Sequence, residues 1–182
     1  MKTIKTYIYL FVILVIYACG SSKTEVTSEQ LLELDLLVNN KNFEIISDKA
    51  YPHSIRSINR LQNLGLIRPG NSVSRINLSG NSNYLKVVGD SVYVELPYFG
   101  ERQSNVAYNG SNSSISVENV MQNYKVEKNV DGNYFNISFD AKNQTETFSF
   151  SISVYPNLDT TIFLTSTSRF SIRYSGTSEP LQ

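Results

Sequence analysis

Apolar and polar residues alternate along this chain with two different periods. Between Ser28 and Val38, Leu31, Leu34, Leu37 and Val38 recur at helical spacing. Thr27 or Ser28 stands where an N-cap belongs, acidic residues fill the first turns, and Asn39-Asn40 follows as a stop. A strand reading competes, because Leu32, Leu34 and Leu36 also alternate with Glu33 and Asp35. Leucine content and the capping residues favour a helix, which is expected to pack on the domain as a lid.

From Phe43 onward the period is two. Phe43 to Ile46 predicts a short strand, and an irregular segment from Tyr51 to Ser74 carries Pro52, Pro69 and Gly70. Tyr84–Val88 and Ser91–Leu96 predict a hairpin around Gly89-Asp90, where glycine tolerates the positive φ of a tight turn. Strands are expected at Ile115–Glu118, Tyr124–Asn129, Tyr134–Asp140, Phe148–Val154, Thr161–Thr165 and Phe170–Tyr174. In the run from Phe148 to Val154, the apolar residues share one face and three serines the other. About eight to ten short strands with tight turns and no intervening helices imply a closed barrel or a sandwich. Hairpin-to-hairpin succession favours the up-and-down antiparallel barrel. The class is therefore mainly β with one short N-terminal helix, a single domain over residues 28–176, and a tail at 177–182.

The N-terminus follows a different logic. Lys2 and Lys5 precede an apolar run from Tyr7 to Ala18, the layout of a secretory signal. The run is shorter than the ~20 residues that cross a bilayer. Ile16-Tyr17-Ala18-Cys19-Gly20 resembles the bacterial lipobox. That resemblance implies cleavage after residue 18 and lipidation of Cys19, with several acyl chains giving stable membrane anchoring. Residues 19–27 then read as a lipidated polar tether. The expected location is the cell envelope, on the outer membrane, with its facing left open.

Composition narrows the chemistry. The chain has 182 residues, with 16 Lys+Arg against 16 Asp+Glu. Loss of Lys2 and Lys5 with the signal would leave 14 against 16, a slightly acidic domain and no basic face for nucleic acid. One cysteine excludes an intramolecular disulfide framework and a multi-thiolate zinc site. One histidine, His53, makes acid–base machinery improbable, and no Gly-x-Ser-x-Gly motif supplies a nucleophile. No enzymatic activity, cofactor or metal is expected. Asp131-Gly132-Asn133 is what a hairpin turn wants, rather than a calcium site. Arg56, Arg60 and Arg68 read as a solvated loop.

The densest aromatic loop is Pro97-Tyr98-Phe99-Gly100-Glu101-Arg102, with Tyr108 beyond it. Two aromatics beside a glycine and an arginine at a barrel mouth have the composition of a small-ligand site, so Tyr98, Phe99, Arg102 and Tyr108 are the candidate ligand contacts. The competing reading is an aromatic plug that closes the barrel end, with Arg102 paired to a carboxylate. Asp90-Ser91-Val92 and Asp159-Thr160-Thr161 resemble three-residue O-glycosylation sites, making Ser91 and Thr160 candidate acceptors.

Tyr51-Pro52, Ile76-Asn77-Leu78, Asn83 to Val87, Gly89-Asp90-Ser91-Val92, Leu96-Pro97-Tyr98-Phe99-Gly100 and Ile172-Arg173-Tyr174-Ser175-Gly176 together resemble a Bacteroidetes lipoprotein family, domain-of-unknown-function family 4251. The resemblance covers Leu31 to Gly176 and implies a lipid-anchored, lipocalin-like β-barrel with no assigned activity. The segment from Ser57 to Val73 is longer than that pattern leads one to expect. Two roles follow as expectations. The first is a non-enzymatic binding module that holds a small apolar or amphipathic ligand. The second is a structural protein that docks another envelope component through its barrel surface.

Overall fold

In a computed structural model, the structure describes residues 26–53, 72, 74–100 and 114–181. Helix α1 spans Ser28–Asn40. Its N-cap is Thr27, whose hydroxyl accepts from the Gln30 N–H at 3.3 Å while the Gln30 side chain accepts from the Thr27 N–H at 3.1 Å. This reciprocal capping box satisfies two of the helix's orphan donors. Leu34, Leu37 and Val38 are buried, whereas Leu32 and Leu36 are 61% and 53% exposed. The period of 3.6 thus wins over the alternating one. The chain leaves the helix at Lys41, which adopts the left-handed conformation at φ 48°.

Ten strands follow among the described residues: β1 (Asn42–Pro52), β2 (Ile76–Asn77), β3 (Tyr84–Val88), β4 (Ser91–Pro97), β5 (Ser114–Val120), β6 (Gln122–Asn129), β7 (Tyr134–Lys142), β8 (Thr147–Val154), β9 (Asp159–Ser166) and β10 (Ile172–Pro180). Hydrogen bonding runs in the order β5-β4-β3-β1-β10-β9-β8-β7-β6, all antiparallel, with β2 added to β1. The result is a nearly closed up-and-down barrel, as the alternating pattern predicts.

The strands are longer than their periodic stretches. β1 reaches Pro52, so Tyr51-Pro52 lies in the wall and not in a loop. β10 reaches Pro180, which pairs with Phe43, so residues 177–180 belong to the barrel rather than to a tail. The last strand also starts at Ile172, two residues after the expected Phe170.

The two ends of the strand path are β5 and β6, which are joined by Met121 alone. Eight antiparallel steps separate them, so they run in the same direction. They form one long bent strand whose first half extends β4 and whose second half extends β7. The bend has identifiable causes: the register shifts between Gln122 and Lys125, and Asn123 sits at φ 55°. Side chains stitch the seam. Asn119 Nδ2 donates to the Lys142 carbonyl at 2.9 Å, and Asn143 Nδ2 donates to the Ser116 carbonyl at 3.2 Å.

A second irregularity lies in β1, which shifts register between Ser47 and Lys49. There β1 pairs with β3 below and β2 above, and the buried Asn83 side chain bridges the gap. Its amide accepts from the Ser47 N–H at 2.9 Å and donates to the Ser47 carbonyl at 3.0 Å, replacing a missing backbone partner. Gly176 faces the same notch. A Cβ there would sit 2.0 Å from the Ile46 carbonyl oxygen, so only glycine allows β10 to approach.

Among the described residues, packed side chains fill the interior. Phe43, Ile45, Leu85, Val92, Leu96, Ile115, Ile137, Phe148 and Ile152 are fully buried in one continuous cluster. Phe139 stacks on Phe150 with centroids 4.9 Å apart. Each such side chain contributes about 1.5–3 kcal/mol relative to exposure. The serines between Phe148 and Val154 face outward, as the alternation requires.

Candidate functional site

The mouth opposite α1 is where the aromatic loop leaves β4. Tyr98 is only 6% exposed, and its hydroxyl donates to the Phe170 carbonyl at 3.0 Å. Gly100 lets the chain pass: a Cβ at that position would lie 2.0 Å from the Tyr98 hydroxyl oxygen. Tyr174, fully buried on β10, donates to the Pro97 carbonyl at 3.0 Å. Burial pushes the Tyr174 phenol far up, with Tyr98 adding to this and Arg169 opposing it, so Tyr174 stays a neutral donor.

Over the Tyr98 ring, at 5.0 Å from its centroid, lies the Arg169 guanidinium. Arg169 Nε donates to Glu146 Oε2 at 2.8 Å, and the two side chains are 3% and 1% exposed. Ser166 Oγ donates to the same carboxylate oxygen at 3.1 Å, and Arg169 Nη1 donates to the Ser114 carbonyl at 3.3 Å. A buried charge pair is tolerated only when its remaining hydrogen-bonding capacity is met, and this network does so. It ties together the start of β5, the β7–β8 loop and the β9–β10 loop.

Tyr98 and half-buried Phe99 therefore pack as a plug. Among the described residues, the charged partners of that plug are Glu146 and Arg169. Arg102, Tyr108 and the lipidation candidate Cys19 lie outside the described residues, as does Ser57–Val73 apart from Ser72. Ser91 is half-buried at the start of β4. Thr160 is 2% exposed and turned into the wall. His53 is exposed at the end of β1. Among the described residues, no group of three His, Cys, Asp or Glu gathers to hold a metal.

Two concavities among the described residues lie on the outer surface. One, of about 710 Å³, runs beside the β8–β9 turn and is lined by Tyr155, Pro156, Asn157, Thr161 and Thr177. Asp48 and Lys49 form an ion pair on its edge. Burial pushes the Asp48 carboxyl up, but the Lys49 ammonium and the Ser175 hydroxyl outweigh it and hold it below the ordinary range. A second groove, of about 680 Å³, lies higher on the same face, around Tyr51, Arg75 and Arg173.

The sequence model described as Domain of unknown function (DUF4251) matches residues 24–178. This chain belongs to the DUF4251 family. Among solved structures it is similar to a DUF4251 family protein from Bacteroides eggerthii DSM 20697, known from a crystal structure at 1.95 Å resolution. The two share 13% identity with a TM-score of 0.57, over 84% of this chain and 89% of that one. At that identity the likeness speaks for the DUF4251 barrel alone. No curated protein matches the chain.

Proposed function

We propose that this chain is a non-enzymatic, lipid-anchored protein of the cell envelope that acts through the outside of its barrel. The observation that carries this reading is the filled interior: the inward side chains form one buried cluster, and Tyr98, Tyr174, Arg169 and Glu146 occupy the mouth. Among the described residues the inward positions are taken by packed core side chains rather than by an open lipocalin-like chamber, and two grooves of substantial volume face outward. The docking role is thus favoured over the mouth-ligand role. Anchoring rests on the lipobox-like Ile16-Tyr17-Ala18-Cys19-Gly20, with only a short polar stretch between Cys19 and α1. No helix among the described residues is long and apolar enough to cross a membrane.

Two measurements test this. Cys19→Ala should abolish incorporation of labelled fatty acid and move the chain from the membrane to the soluble fraction. Retained label would overturn the anchor. Native mass spectrometry of the chain released from detergent should show the mass of the lipidated protein with nothing further bound. A small apolar molecule retained at unit stoichiometry would overturn the filled-barrel reading.

A further inference from the structure

The outer face of the barrel carries one rung unlike its neighbours. Tyr51 on β1 pairs with Arg173 on β10, and Arg173 pairs with Phe163 on β9. On the other side, β1 pairs with β2 through Lys49–Asn77 and Ala50–Ile76, so one step further along that register Arg75 stands beside Tyr51. The row reads arginine, tyrosine, arginine, phenylalanine across four neighbouring chain segments, with Tyr51, Arg173 and Phe163 pointing away from the core.

We infer that this rung is an anion-binding site for a phosphoryl group. Three observations meet here. Its groove, about 680 Å³, contains Arg75 and Arg173 and, among the described residues, no Asp or Glu. Neither arginine takes part in an ion pair among the described residues, although the protein pairs Lys41, Lys49, Lys86, Lys125, Lys128 and Arg169 with carboxylates. The Arg173 guanidinium lies 4.5 Å from the centroid of the Tyr51 ring. Contact through the ring face fixes the guanidinium while leaving its in-plane N–H donors open, and a guanidinium pre-oriented in this way loses less entropy when it binds.

The remaining lining suits the same ligand. Arg75 lies in a tight turn closed by mutual backbone bonds with Ser72, at 2.8 and 3.2 Å. Ser72 and Ser74 on that turn, with Ser171 across the groove, supply hydroxyl donors for a tetrahedral oxyanion. Phe163 is 46% exposed and closes the row with an apolar surface. The site is therefore built for a phosphoryl group that carries an apolar or planar body. That chemistry belongs equally to a phospholipid headgroup and to a soluble phosphate ester, and the site goes beyond the proposed function without depending on the anchor.

The test is arginine footprinting of the full chain, using phenylglyoxal and site-resolved mass spectrometry. In neutral detergent, inorganic phosphate should slow modification of Arg75 and Arg173 saturably, by about fivefold or more, relative to sodium chloride of equal ionic strength. In a parallel arm, the chain is reconstituted in phosphatidylcholine vesicles with or without phosphatidylglycerol. Protection by phosphate assigns the site to soluble phosphate esters, and protection by phosphatidylglycerol alone assigns it to headgroups; either supports the inference. Tyr51→Leu keeps both charges but removes the stacking ring, and it should cut the protection several-fold while leaving the melting temperature close to that of the unaltered chain. Equal modification rates in phosphate, phosphatidylglycerol and chloride would overturn the site. Undiminished protection in a folded Tyr51→Leu chain would also overturn it, by reducing it to plain surface charge.

Discussion

The two ends of this barrel are closed by opposite means. At one end α1 lays Leu34, Leu37 and Val38 against the core. Its polar contacts are peripheral and largely solvated: Lys128 with Asp35 at 2.9 Å and Lys41 with Asp90 at 3.1 Å. At the other end the closing groups are a buried ion pair, two tyrosine hydroxyls and the carbonyls of Ser114, Pro97 and Phe170. Apolar closure is graded, because each lost methylene costs its own burial and cavity. Polar closure is all-or-none, because removing one partner strands the other in a low-dielectric site.

The largest expected effect comes from breaking the polar end on one side only. Arg169→Met should destabilise the chain by about 3–5 kcal/mol, read as a lowered urea midpoint, since it takes the Arg169 guanidinium away from the buried Glu146 carboxylate. Adding Glu146→Leu should restore most of that loss, because replacing both charges with apolar groups is often neutral. A double variant as unstable as the single one would show that the ends do not differ in kind. At the helix end, Leu34→Ala should cost about 2–3 kcal/mol by the same measurement, and no second substitution of a polar neighbour should rescue it.

The smallest effect concerns the seam. Asp140 accepts from Ser149 Oγ at 2.6 Å and from Asn123 Nδ2 at 2.8 Å, and these bonds hold its carboxyl below the ordinary value of 3.8. A depressed folded value means that the contribution is complete above the unfolded pKa and is lost as pH falls through the folded one. Thermal unfolding should therefore show a modest extra loss below about pH 3.8, absent in Asp140→Asn. Equal acid sensitivity in both chains would show that the bonds to Asp140 add nothing to stability beside the bend.

The contrast between the ends also separates what the sequence reveals from what it hides. The helix lid is legible because a stripe at 3.6 spacing and a threonine followed by glutamine three residues on are local signals. The wall is legible for the same reason, down to the Gly89-Asp90 hairpin, whose glycine takes φ 59°. The ionic end is not. Glu146 and Arg169 occur in turns, 23 residues apart, with no period to mark them as inward. Only the topology brings the two loops together over Tyr98. Strand ends were hidden for a related reason: Ser175 to Pro180 has no alternation of its own, and its place is set by pairing with β1. The row of Arg75, Tyr51, Arg173 and Phe163 is likewise a product of register, since its members come from three distant parts of the chain.

The pairing of β1 with β10 has a kinetic consequence. Phe43 and Pro180 are partners across almost the whole domain, so the rung that joins the first strand to the last is among the costliest loops to close. High contact order of this kind slows folding. A nascent chain lacking residues 172–180 cannot complete the wall, however well its hairpins form. The barrel becomes a folded object only when its last strand arrives, and until then β1 and β9 are open edges exposed to whatever else is in the compartment.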